Sequence, residues 1–85
     1  MNNYYNHVLL WLKANRPNYV LVRFHYPTDP PDEYYWYLEP VDYIDGVLWV
    51  GGDTDFEGYI AQFSKEANLN LRFFKFTEPG QKEEI

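Results

Sequence analysis

Residues 33–50 read EYYWYLEPVDYIDGVLWV, and their reading decides the fold class. Over 33–39 the side chains alternate. Tyr34, Trp36 and Leu38 fall on one face, and Glu33, Tyr35, Tyr37 and Glu39 on the other. A period of two is the mark of an extended strand. Pro40 has no N–H for a ladder, so it signals an edge, a bulge or a break. Residues 41–44 and 47–50 then flank Asp45-Gly46, which supplies the positive φ angles of a tight primed turn. The two runs form a hairpin.

Working upstream, residues 27–32 hold three prolines in six positions and read as a loop. Residues 19–26 read as a strand, with Val20, Val22 and Phe24 facing the core and Leu21, Arg23 and His25 facing out. Before it, Asn2 or Asn3 caps a first helix that runs to about Asn15. Tyr4, Tyr5, Val8, Leu9, Trp11 and Leu12 give that helix one wide apolar stripe. Arg16-Pro17-Asn18 ends it, since proline cannot continue a helix and restricts the residue before it.

Downstream, Gly51-Gly52 is a bend. Asp53 or Thr54 caps a second helix, and Thr54-x-x-Glu57 matches a capping box. Phe56, Tyr59, Ile60, Phe63 and Ala67 form its buried stripe, and Asn68 ends it. Residues 69–76 read as a last strand and 77–85 as a flexible polar tail. The expectation is a single α+β domain over residues 1–76, in the order α-β-β-β-α-β. About four mostly antiparallel strands would be covered on one face by the helices. A crossover through the second helix allows one parallel pairing.

The chain has 85 residues, a net charge of −6 and no cysteine. Disulfide scaffolds, thiol catalysis and Cys-ligated zinc are therefore excluded. Stability must come from packing, and the 21% aromatic content supplies large side chains for it. No stretch approaches the ~20 apolar residues of a membrane span. The apolar run 8–12 is too short for a signal peptide, so the expectation is a soluble, cytoplasmic protein without a membrane role.

The charge is segregated. Between Phe24 and Ser64 lie nine acids and no Lys or Arg. Residues 1–23 carry Lys13, Arg16 and Arg23 and no acid. Such a surface argues against direct binding of nucleic acid or anionic lipid.

Candidate chemistry is sparse. Asp53-Thr54-Asp55-Phe56-Glu57-Gly58 echoes the opening of an EF-hand loop. Position 12 of that loop falls on Ser64, where a bidentate Glu is needed, and helix capping accounts for the same acids. His7 and His25 have no signature neighbours, and no nucleophile elbow or phosphate loop occurs. Pro27-x-x-Pro30 has the spacing of a polyproline ligand, but its flanks are acidic, and a stiff loop is the simpler reading. No catalytic residue, cofactor or metal is assigned.

The acidic, aromatic middle is the remaining candidate. Tyrosines give large contact area with few torsions to freeze, and carboxylates around them steer a basic partner. The candidate contact set is Asp29, Asp32, Glu33, Tyr35, Tyr37, Glu39, Asp42 and Asp45. Asp53, Asp55 and Glu57 form a secondary group. Tyr35 and Tyr37 are the aromatics with no place in the core.

In size, acidity and lack of a catalytic signature the chain resembles nuclease-immunity proteins and phage-encoded inhibitors of host defence, such as anti-CRISPR and anti-restriction proteins. The resemblance is one of composition, and it carries no residue over. It implies a non-enzymatic inhibitor that occupies the basic surface of a nucleic-acid-binding protein, its carboxylates standing in for phosphates. Two other readings fit the composition. One is a small-ligand or carbohydrate-binding domain, where aromatic platforms meet hydroxyl-bearing ligands. The other is a structural subunit that forms homodimers through Tyr35, Tyr37 and the first helix.

Overall fold

The computed structural model describes residues 2–66 and 70–85, with 65 and 66 through their backbone only. Helix α1 spans Asn3–Asn15. Asn2 caps it, its Oδ1 accepting from the Tyr5 N–H at 2.8 Å. At the other end Arg16 takes the left-handed conformation, φ 51°, and its N–H closes on the Leu12 carbonyl. The α region is disfavoured before Pro17, so the helix stops there.

Six strands follow around a second helix: β1 (Tyr19–Phe24), β2 (Tyr35–Ile44), β3 (Val47–Val50), β4 (Thr54–Asp55), α2 (Phe56–Glu66), β5 (Arg72–Glu78) and β6 (Gln81–Glu84). They form a sheet in the order β4-β3-β2-β1-β5-β6. Among the described residues every pairing is antiparallel, including β1 with β5, and the allowed parallel pairing is not found. The protein is a small α+β domain, with six strands among the described residues rather than about four and a longer order than α-β-β-β-α-β.

The extra strands have identifiable causes. Strand β2 runs straight through Pro40, which the sequence marked as an edge, a bulge or a break. Pro40 pairs with Tyr19 on one side, while on the other its carbonyl accepts from Gly51 N–H at 2.9 Å. Its own missing N–H lies where β3 has already ended, so the ladder loses nothing there. Thr54–Asp55 form the two-residue β4 against Val50 and Trp49. Residues 77–85, expected as a tail, turn at Gly80 (φ 81°) and return as β6 along β5. The Asp45-Gly46 turn is as expected, with φ of 54° and 79°.

The helices pack on one face of the sheet. Tyr5, Val8 and Leu12 of α1 and Phe56, Tyr59 and Ile60 of α2 are buried against Val20, Val22, Phe24, Val41, Leu48, Val50, Leu71 and Phe73. Phe73 is fully buried and takes the rings of Tyr5, Phe56 and Tyr59 at centroid distances of 6.2, 5.5 and 6.4 Å. Burying such a side chain contributes about 1.5–3 kcal/mol. The expected stripe of α2 is seen for Phe56, Tyr59, Ile60 and Phe63, and Ala67 and Asn68 lie outside the described residues. The α2 cap is Asp55, whose Oδ1 accepts from Gly58 N–H at 2.7 Å. Thr54, expected as a cap, instead donates to the Val50 carbonyl at 3.3 Å. No helix among the described residues is long and apolar enough to cross a membrane.

Candidate functional site

Strand alternation assigns the two sheet faces. Val41 is buried under the helices, so Tyr35, Tyr37, Glu39 and Tyr43 share its side of β2. This reverses the expected faces of residues 33–39. Tyr37 lies against the buried Phe24 at 4.9 Å, and Tyr35 meets Tyr26 edge-on at 5.4 Å. They sit at the margin of the helical layer and stay about half exposed, at 48% and 46%.

Tyr34, Trp36 and Leu38 therefore face the other way, and no helix among the described residues covers that side. Registers with β1, β3 and β5 place Tyr19, Ile44, Val47 and Phe76 there as well. All seven of these apolar residues are exposed. Leu21 and Phe74 lie in register between them, joining the β2 part of the face to the β5 part. Exposed apolar side chains gathered on one uncovered sheet face mark a candidate contact site.

The rings on this face are held in place by cations. The Arg23 guanidinium lies 4.2 Å from the Tyr34 ring centroid, 5.4 Å from Phe74 and 6.0 Å from Trp36. Lys82 Nζ sits 4.4 Å from the Trp36 ring centroid. Arg72 pairs with Glu84 at 3.7 Å. Each cation–π contact contributes about 0.5–1 kcal/mol when exposed and favours these ring positions. Arg23 Nε is buried without a hydrogen-bond partner among the described residues.

The candidate acids do not form one cluster. Asp29, Asp32 and Glu33 lie in the β1–β2 loop, where the Asp29 and Glu33 N–H groups donate to Tyr26 and Pro30 carbonyls. Asp45 sits in the hairpin turn at the opposite end of β2. Glu33 and Asp45 therefore lie beyond opposite ends of β2. Asp42 is exposed on the uncovered face, across from Trp49. Glu39 is on the helix side, where its Oε2 accepts from the Tyr59 hydroxyl at 2.7 Å. Asp53, Asp55 and Glu57 surround the start of α2, with Asp55 engaged as its cap and Glu57 in its first turn.

Three tyrosine hydroxyls anchor this scaffold and all are held protonated above the ordinary phenol range. For Tyr59 the causes are burial first and then the Glu39 carboxylate that its O–H meets. Burial also raises Tyr4, whose oxygen accepts from Phe73 N–H at 2.8 Å. Burial raises Tyr43 too, with Arg16 opposing; its O–H donates to the Pro17 carbonyl at 2.9 Å. His7 is exposed and His25 meets the Pro30 carbonyl at 3.1 Å.

Concavities on the surface are small. One between α1, β1 and β5, lined by Trp11, Tyr19 and Phe74 among others, holds about 230 Å³. Ligand pockets usually hold about 300–1,000 Å³. No family model, curated protein or solved structure matches this chain.

Proposed function

We propose that this chain is a non-enzymatic binding protein that inhibits a basic, nucleic-acid-binding protein by occupying its basic surface. The observation that carries the reading is the uncovered sheet face, with Trp36, Leu38, Ile44 and Val47 exposed beside Asp42. An apolar centre excludes water, and acids at the rim set the partner's charge. Here Asp42 stands on the face, Asp45 at one end of β2, and Asp32 and Glu33 beyond the other. The acids act as separate rim contacts along one elongated surface. Arg23 and Lys82 lie against the Tyr34 and Trp36 rings and Arg72 is paired with Glu84, so the basic surface of the partner meets the acid-bearing β2–β3 side.

A flat face of this kind fits a protein better than a small ligand, given concavities of about 170–230 Å³. The test uses the immobilised chain and host lysate at about 50 mM and about 500 mM salt, with duplex DNA as competitor. A basic protein retained at low salt and released by DNA is the expected result. The double variant Ile44→Asp with Val47→Asp should abolish retention although it adds acid, because it removes the apolar pair on the β2–β3 side. Retention that ignores salt and DNA, or survives the double variant, overturns the reading.

A further inference from the structure

Strand β2 is paired on both sides only near its middle. Its first half, Tyr35 to Pro40, pairs with β1, and its second half, Val41 to Ile44, pairs with β3. The Gly51 N–H to Pro40 carbonyl bond is the last contact on the β3 side. Gly51 and Gly52, with φ of 79° and 100°, then carry the chain away. Among the described residues no strand pairs with the outer edge of residues 35–39.

The phase of the ladder identifies the unpaired groups. Val41 N–H points to β1, where it reaches the Asn18 carbonyl at 2.8 Å, while the Pro40 carbonyl points the other way to Gly51. In an antiparallel pair these directions alternate residue by residue. Tyr35, Tyr37 and Glu39 therefore give their backbone groups to β1. The N–H and C=O of Trp36 and Leu38 point outward. Both residues are exposed, at 38% and 55%.

Proteins usually guard such an edge with a lysine, a proline or an inward-pointing charge. Residues 35–38 have none of these, and Pro40 stands one rung past the open stretch. We propose that this edge takes an extended segment of the partner by strand addition. The segment's backbone would bond Trp36 and Leu38. Its side chains would meet Tyr35 and Tyr37 on one face and Trp36 and Leu38 on the other. The segment carries Lys or Arg, because the exposed Glu33 and Asp42 border the edge, while Arg23 and Lys82 are engaged with the Trp36 ring. The charge of the segment rests on the proposed function; the strand pairing does not.

Leu38→Pro tests the edge directly. Proline removes an outward N–H that the fold does not use, at a φ that a strand accepts. Leu38→Val keeps the N–H at similar side-chain size, and thermal melts establish that both variants fold. The probe is a ten-residue alternating Lys/Val peptide, with a Glu/Val peptide as control. Hydrogen exchange at the Trp36 and Leu38 amides should slow at least tenfold with the Lys/Val peptide and be unchanged with the Glu/Val peptide. Binding should weaken about tenfold in Leu38→Pro, the equivalent of one or two backbone hydrogen bonds, and hold in Leu38→Val. Equal binding by both variants, or no protection at about 1 mM peptide, overturns the proposal. Protection of the same amides without peptide, in a dimer by sedimentation, also overturns it, since a second copy then fills the edge. Face variants at Ile44 and Val47 report on the proposed function separately.

Discussion

The Tyr59 hydroxyl donates to Glu39 Oε2 at 2.7 Å and ties α2 to the middle of β2. Glu39 was a candidate partner contact in the sequence, and this bond gives it a structural task as well. A hydrogen bond to a charged group contributes about 1.5–3 kcal/mol when buried, and less here because Glu39 is half-buried. Tyr59→Phe should therefore cost about 1–2 kcal/mol at neutral pH, read from urea midpoints.

The same phenol sets an alkaline limit. Tyr59 holds its proton above the ordinary range in the folded state, whereas the unfolded chain releases it near pH 10. Below that pH the contribution is fully present. Above it the unfolded state binds fewer protons, so stability falls by about 1.4 kcal/mol per pH unit for such a group. Tyr4 and Tyr43 act in the same direction. Melting temperature against pH should bend downward above about pH 10, and Tyr59→Phe should make that bend shallower. An unchanged bend would show that Tyr59 is not its source.

Loop acids steer association without holding the fold. Asp32 and Glu33 are exposed and Asp29 half-buried in a loop outside the core. Changing all three to Lys should leave the melting temperature within a few degrees. It should slow association with a basic partner about tenfold or more at low salt, with the difference shrinking as salt rises. Stopped-flow rates at two salt concentrations read this.

Gly46 isolates a purely conformational cost. Its φ is 79°, and a Cβ there meets nothing within 4 Å. Gly46→Ala should cost about 1 kcal/mol from the left-handed backbone alone, with no change in the spectroscopic signature of the core.

Asn2 closes the first turn of α1 through Tyr5 N–H. Asn2→Ala should cost about 1 kcal/mol. Asn2→Asp should recover that loss or exceed it, since it keeps the acceptor and adds a favourable charge at the helix N-terminus. Thermal melts rank the three.

Much of the fold was legible because local chemistry and global packing agree. The α1 cap, the stop before Pro17, the core side of β1 and the Asp45-Gly46 turn all follow from nearby residues. Pro40 left open whether residues 33–39 continue in phase into 41–44, so the apolar Val41 did not fix the face of Tyr35 and Tyr37. Aromatics on both faces of residues 33–39 removed any hydrophobic signal that could have decided it. Strand β6 was hidden for another reason: Gln81, Lys82, Glu83 and Glu84 have no apolar alternation, and only Pro79-Gly80 hinted at a turn. The uncovered face had a signal as well, since two short helices can cover just one side of a sheet.

One strand serving two half-sheets has a consequence for how the molecule comes apart. The β3–β4 arm and the β1–β5–β6 arm each hang from a different half of β2, and Val41 is where both attach. Peeling either arm away strips Leu48 and Val50, or Val22 and Phe73, from the same helices. Neither arm has a private core to fall back on. Loss of one should carry the other with it, so heat and denaturant should each produce a single all-or-none transition rather than a stepwise melt.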